Sequence, residues 1–173
     1  MGRVSQAQAQ ENRKRIVETA ARLFRERGIA GVSVADVMGE VGLTHGGFYK
    51  HFASKEALVE EAVGAAFAQQ AQRVAASDPA SFLATYLSPA HRDDPGSGCP
   101  TAGFGGDLAR EDTALPAYVQ GVESYARFLG SDGNPDLAAV STLVGAMVLA
   151  RATAGTDLSD RILRAARDKL SAG

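Results

Sequence analysis

The chain has 173 residues, 45% of them hydrophobic and 22% charged, with a formal net charge of −2 and a mean hydropathy of −0.09. That length holds about one domain, or two small packed ones, and buries a core without disulfide or metal. No apolar run approaches the roughly 18–20 residues of a membrane span, Met1–Gln6 carries no apolar signal region, and Gln6 stands where a myristoylation signal needs Ser or Thr. The single cysteine, Cys99, excludes an intrachain disulfide and a Cys-rich zinc site, so a cytoplasmic location is expected.

The charge is uneven. Residues 1–55 carry nine Lys/Arg, Arg3 and Arg13 among them, against five acids, a balance of +4, while residues 56–173 carry nine bases against fifteen acids, a balance of −6. A basic front on an acidic body points the front toward a polyanion, although a solvated basic face reads the same way until a shape accompanies it.

Taken in chain order, all six prolines follow Asp78, so the first 78 residues lack the strongest helix breaker. Ile16, Ala20, Leu23 and Phe24 follow i, i+4, i+7, i+8 spacing and predict a helix over 10–27, stopped by Gly28. Ser33 is a good N-cap with Asp36 three residues on, and Val34, Val37, Met38 and Val41 form the apolar face of a second helix ended by Gly42. Thr44 reads as the cap of a short third helix anchored by Phe48 and Phe52. Ser54 then caps a long helix from Lys55 towards Ala76, its inner face being Leu58, Ala62, Ala65, Ala66 and Phe67. Asp78-Pro79 starts a helix that ends before Pro89, and residues 88–101 read as a long loop. Helices are expected over 103–111, 115–130, 136–154 and 158–170. The 136–154 segment is apolar nearly all round and needs burial on more than one side, part of it by a second copy of the chain.

Residues 33–52, SVADVMGEVGLTHGGFYKHF, have the anatomy of a helix-turn-helix. Such a motif projects its second helix into a DNA major groove while the first braces it across the phosphates. Thr44 caps the second helix and leaves its amides near the groove or a phosphate, His45 leads the exposed edge, and Tyr49, Lys50, His51 and Lys55 offer polar groups to the backbone. Gly46-Gly47 inside so short a helix costs about 2 kcal/mol against Ala, a local rule broken where close approach of the backbone to base edges would explain it.

With these residues on the page, the run from Asn12 to about Val63 resembles the N-terminal DNA-binding domain of TetR-family transcriptional regulators. The matching pieces are Ile16-x-x-x-Ala20-x-x-Leu23-Phe24-x-x-x-Gly28, then Ser33-Val34-x-Asp36-Val37, then Gly42-Leu43-Thr44-x-Gly46-x-Phe48-Tyr49-x-His51-Phe52-x-Ser54-Lys55-Glu56-x-Leu58. The family often has Ile-Ala where this chain has Val37-Met38. The resemblance implies an all-α chain with a helix-turn-helix three-helix domain over 1–54, N-terminal arm included, and a helical ligand-binding and dimerisation domain over 55–173. It also implies a homodimer, joined through the last two helices at about 136–170, that binds double-stranded operator DNA and is released by a small-molecule effector. Arg13, Ser33, Val34, Thr44, His45, Gly46, Gly47, Tyr49, Lys50, His51 and Lys55 are the DNA-contacting residues this reading assigns.

For the second half, Phe67, Phe82, Tyr86, Phe104, Tyr118, Tyr125 and Met147 are candidates to line an effector pocket, each with a plain core reading beside it. Cys99 lies in Gly96-Ser97-Gly98-Cys99-Pro100, where glycines would permit access and His91 and Arg92 lie near in sequence; a thiol-reactive signal and a small buried residue are both open. His45, His51 and His91 have no metal-binding spacing, no Gly-x-Ser-x-Gly is present, and neither cofactor nor enzymatic activity is expected. A helical interaction module that binds no DNA is the alternative to the regulator, and a thiol-dependent enzyme built on Cys99 stands behind both.

Overall fold

The computed structural model describes residues 5–172 and is all-α, with no β-strand among the described residues. Arg3, counted in the basic front, and the rest of the first four residues lie outside that range. The first helix, α1 (Gln6–Arg27), starts four residues before the expected position because Ser5 caps it, its Oγ accepting from the Gln8 N–H at 3.1 Å. It ends at Gly28, whose φ of +78° favours glycine. Helix α2 (Val34–Glu40) opens with a complete capping box between Ser33 and Asp36. The Asp36 carboxylate accepts from both the hydroxyl and the backbone N–H of Ser33, which holds its pKa below the ordinary value.

The third element differs from expectation. His45–Lys50 is a six-residue 3-10 helix, and the Thr44 side chain makes no capping bond. Its turns close i to i+3, with the Gly47 N–H on the Thr44 carbonyl at 2.9 Å and the His51 N–H on the Phe48 carbonyl at 2.8 Å. Two adjacent glycines weaken an α-helical run, and the tighter form suffices for one short segment.

Helix α3 (Lys55–Ala75) is capped by Ser54 as expected, and α4 (Pro79–Tyr86) by Asp78. The expected loop at 88–101 instead contains α5 (Pro89–Asp93), capped by Ser88, and the start of α6 (Pro100–Leu108). The overlooked signal is the proline: Pro79, Pro89, Pro100 and Pro116 all lie in the first turn of a helix, where no N–H is missed. The remaining helices are α7 (Leu115–Leu129), α8 (Leu137–Ala152) and α9 (Asp157–Ser171).

Two hydrophobic clusters hold these elements. The first joins α1, α2 and the 3-10 helix to Leu58, Val59, Ala62, Val63 and Ala66 of α3, and takes in Phe104 and Leu108 of α6. The second gathers Val74, Phe82, Tyr86, Leu87, Cys99 and Tyr125 with the buried face of α8 and Leu163 of α9. Packing therefore does not divide at residue 54. Helix α3 begins in one core and ends in the other, and α6 is stitched to α1 by the Asp107 carboxylate, which accepts from the Ile29 N–H at 3.0 Å.

Phe104 is fully buried in the first cluster although it belongs to α6. Phe104→Ala should lower stability by about 3–5 kcal/mol, a cavity cost, in urea denaturation. Amide exchange should accelerate in α1 and α3, and a loss confined to α6 through α9 would contradict the shared core.

Candidate functional site

The 3-10 helix is presented rather than packed. Phe48 and Phe52 stack at 5.4 Å between ring centroids and are buried, so they fix the segment from beneath. Thr44, His45, Gly46, Tyr49 and Lys50 are exposed beside exposed Ser33, while Gly47, His51 and Val34 are half-buried. Tyr49, 64% exposed, meets Phe48 and His45 edge-on, so its ring leans on one of the anchors.

Neither glycine of the pair is required by the chain itself. No positive φ occurs at Gly46 or Gly47, a Cβ added at Gly46 meets nothing within 4 Å, and one at Gly47 makes only ordinary contact with Thr44 and Met38.

Most cations of the basic front are spent internally. Arg13, expected at a phosphate, forms an ion pair with Glu61 of α3 and lies 4.4 Å over the Phe52 ring, which makes it a brace between α1, α3 and the anchors. Lys55 donates to the Ile29 carbonyl at 2.7 Å, and Arg15 to the Val41 carbonyl at 2.9 Å. Arg22 pairs with Glu26 and Glu40. Lys50 and Arg27 are exposed and have no ion pair or hydrogen bond among the described residues.

The candidate pocket residues separate. Phe67 and Tyr125 line an open cleft of about 520 Å3 between α3 and α7. Phe82, Tyr86 and Cys99 line a smaller cavity of about 160 Å3. Phe104 belongs to the first core, Met147 is fully buried in the second, and Tyr118 donates its hydroxyl to the Thr101 carbonyl at 2.9 Å; these three line neither space. Gln70, which sequence reasoning missed, is a buried polar residue that lines both. A glutamine four residues after Ala66 and four before Val74, on the buried face of α3, was the available signal.

The surroundings of Cys99 correct two expectations. The thiol is buried, 1% exposed, and Gly96 and Gly98 are close-packed against Arg22, Glu26, Arg151 and His91 rather than openings. Arg92 points away, tied to Asp93 and Asp160. His91 uses both ring nitrogens: Nδ1 donates to the Tyr86 carbonyl at 2.8 Å, and Nε2 accepts from the Cys99 N–H at 2.9 Å. Burial lowers its pKa, which keeps the ring neutral. The neighbouring Gly98 carbonyl accepts from Arg25 of α1 at 3.3 Å, and burial draws the Arg25 pKa down to about 10. Among the described residues no three His, Cys, Asp or Glu side chains gather as a metal site, and no helix is long and apolar enough to cross a membrane.

On α8, Leu137, Ser141, Val144 and Val148 fall on one stripe, with Leu137 and Val148 exposed. Leu158 of α9 is exposed as well.

Residues 16–62 match the family model described as bacterial regulatory proteins, tetR family. The chain is 42% identical over 60 residues to the HTH-type transcriptional regulator TtgR of Pseudomonas putida, covering 35% of this chain and 29% of that one. It is 41% identical over 61 residues to the HTH-type transcriptional repressor KstR2 of Mycobacterium tuberculosis, covering 35% and 30%. These matches thus span less than a third of the curated relatives' length. Over nearly the whole chain the fold is similar to a TetR transcriptional regulator of Chloroflexus aurantiacus, with a TM-score of 0.75, 22% identity and coverage of 96% and 95%. It is also similar to reduced NemR of Escherichia coli, with a TM-score of 0.76, 18% identity and coverage of 94% and 96%.

Because nothing internal requires glycine at 46, Gly46→Ala should leave the fold intact and raise stability by about 0.4–1 kcal/mol through the unfolded chain. The midpoint of thermal denaturation reads this, and a lowered midpoint would show a packing role that the geometry lacks.

Proposed function

We propose that this chain, whose residues 16–62 match the TetR family of bacterial regulatory proteins, is a sequence-specific DNA-binding regulator of that family, not an enzyme. In this reading it acts in the cytoplasm as a homodimer, represses from its operator, and lets go when a small molecule occupies its C-terminal half. The observation that carries the reading is the presented 3-10 helix: stacked Phe48 and Phe52 below, and above them an exposed edge with bare backbone at Gly46. Backbone without side chains can approach base edges and thymine methyls closely. Thr44, His45, Tyr49 and Lys50 flank it with hydroxyl, imidazole, phenol and ammonium groups, and Ser33 and Val34 start the bracing helix. Arg13 and Lys55 serve this surface as internal braces.

Two copies are needed because one short segment reads too little sequence. A two-fold dimer sets its readers about 34–36 Å apart, on successive major grooves. The apolar stripe of α8, continued by Leu158, supports dimerisation through the last two helices.

Release requires the second half to reach the first, and hydrogen bonds together with one aromatic contact supply a route. Gln70 donates to the Tyr125 hydroxyl at 3.0 Å. Tyr125 packs with Tyr86, whose carbonyl holds His91, which holds Cys99; Gly98 holds Arg25 of α1. An effector that moves this wall changes how α1 is held, and with it the spacing of the readers. The buried Cys99 favours an effector held without covalent chemistry over a thiol-reactive signal.

Fluorescence anisotropy against the duplex upstream of the chain's own gene, at two salt concentrations, tests the reading. Lys50→Ala should weaken binding and reduce the salt slope by about 1. Val148→Asp should sediment as a monomer and lose the operator. A folded wild-type dimer that binds no DNA at either salt would establish the helical interaction module instead.

A further inference from the structure

The cleft between α3 and α7 differs from the rest of the surface in what it lacks. None of the residues lining its roughly 520 Å3 carries a formal charge, in a chain where 22% of residues are charged. Phe67, Val74 and Phe128 supply apolar wall, and the polar groups include Gln70 and Tyr125 at the inner end. A Cβ on Gly121 would overlap the Phe67 ring, so glycine there lets the ring lie back against α7. A packed interior would close this space. Here it stays open, at a size within the roughly 300–1,000 Å3 of small-molecule sites.

We infer that this cleft takes a neutral, mainly aromatic molecule with one hydrogen-bond donor, its apolar body against Phe67 and Phe128 and its donor on the Gln70 side-chain oxygen. Charge decides the first attribute. An ion entering the cleft gives up hydration and meets no counter-charge, whereas an uncharged ring gains from leaving water. Gln70 decides the second. Its amide Nε2 is committed to the Tyr125 hydroxyl, while its Oε1 accepts no hydrogen bond from the described residues. An acceptor without a partner in the wall of an uncharged cleft is one that a ligand N–H or O–H satisfies. The same side chain lines the small cavity beside Cys99, so an occupant bonded to Gln70 touches the route that leads to Arg25. The binding claim stands on the cleft alone; the occupant's role as effector rests on the regulator reading.

The matched fluorophores N-phenyl-1-naphthylamine and 8-anilinonaphthalene-1-sulfonate test it. They share a skeleton and an N–H, and only the second carries a fixed charge. The amine should bind the full chain saturably with enhanced fluorescence, and the sulfonate should bind at least about tenfold more weakly, the factor that 1.4 kcal/mol represents. Gly64→Phe fills the cleft mouth from a position where an added Cβ meets nothing within 4 Å, and it should abolish amine binding without lowering the denaturation midpoint. Gln70→Leu should weaken the amine roughly 3- to 10-fold, one hydrogen bond's worth. Absence of amine binding by the folded chain overturns the inference. Amine binding that survives Gly64→Phe, or sulfonate binding of equal affinity that Gly64→Phe removes, overturns it as well. Amine bound without loss of operator affinity refutes the effector role alone. Failure to bind any operator refutes the preceding reading and leaves the cleft's chemistry standing.

Discussion

One helix belongs to both halves of the molecule, and the rest of the structure depends on that. Over its 21 residues, α3 buries Leu58 through Ala66 with the helix-turn-helix and Val74 with the C-terminal core. A helix of that length is a rod of about 31 Å at 1.5 Å per residue. Its two ends cannot tilt independently without breaking backbone hydrogen bonds along the way. Gln70 lies near the far end and Lys55 at the near end, where its ammonium grips the Ile29 carbonyl at 2.7 Å. Whatever displaces the wall of the cleft therefore acts on the lever that carries the anchors of the presented segment.

A second tie prevents the lever from swinging freely. The Gly96–Cys99 segment is clasped by Arg73 of α3 on the Ser97 carbonyl at 2.6 Å and by Arg25 of α1 on the Gly98 carbonyl. Arg151 of α8 holds the carbonyls of His91 and Arg92 just before it. The half-buried Arg25 and Arg151 and the exposed Arg73 thus converge on backbone oxygens rather than on carboxylates. Arg25 and Arg151 have lost hydration, and burial lowers the pKa of both. The half-buried contacts are costly to leave unmade, so α1 and α8 move with the 91–99 segment or one of these bonds is given up.

Much of this architecture was legible in the residues. Ser33, Ser54 and Asp78 announce helix starts because capping is a local transaction across three residues, and the apolar faces of α1 and α3 follow a fixed period. The form of His45–Lys50 was not, since α and 3-10 turns share the same apolar anchors over so short a run. Nor were the braces. Arg13 meets Glu61 across 48 positions and Arg25 meets Gly98 across 73, and no spacing rule operates over such separations. Exposed-looking arginines were therefore read as a phosphate-facing front when most of them hold the fold. The division of candidate aromatics between two cavities and two cores was hidden for the same reason, because a phenylalanine is apolar in any of those places.

Glycine separates what the fold demands from what it leaves over. Gly28 turns the chain at φ +78°, where another side chain would be strained, and Gly121 stands where a Cβ would strike Phe67. Both serve the chain's own geometry, and their loss would be felt in stability. Gly46 satisfies neither description: its backbone is ordinary and its surroundings are empty. It lies on the exposed edge that Phe48 and Phe52 hold in place. The same accounting separates the cations. Those that brace the fold have partners within the chain, and Lys50, next to Tyr49 on that edge, has none among the described residues. Empty space and a cation without an internal partner thus occur together on this molecule at the 3-10 helix, which is the combination the proposed polyanion contact uses.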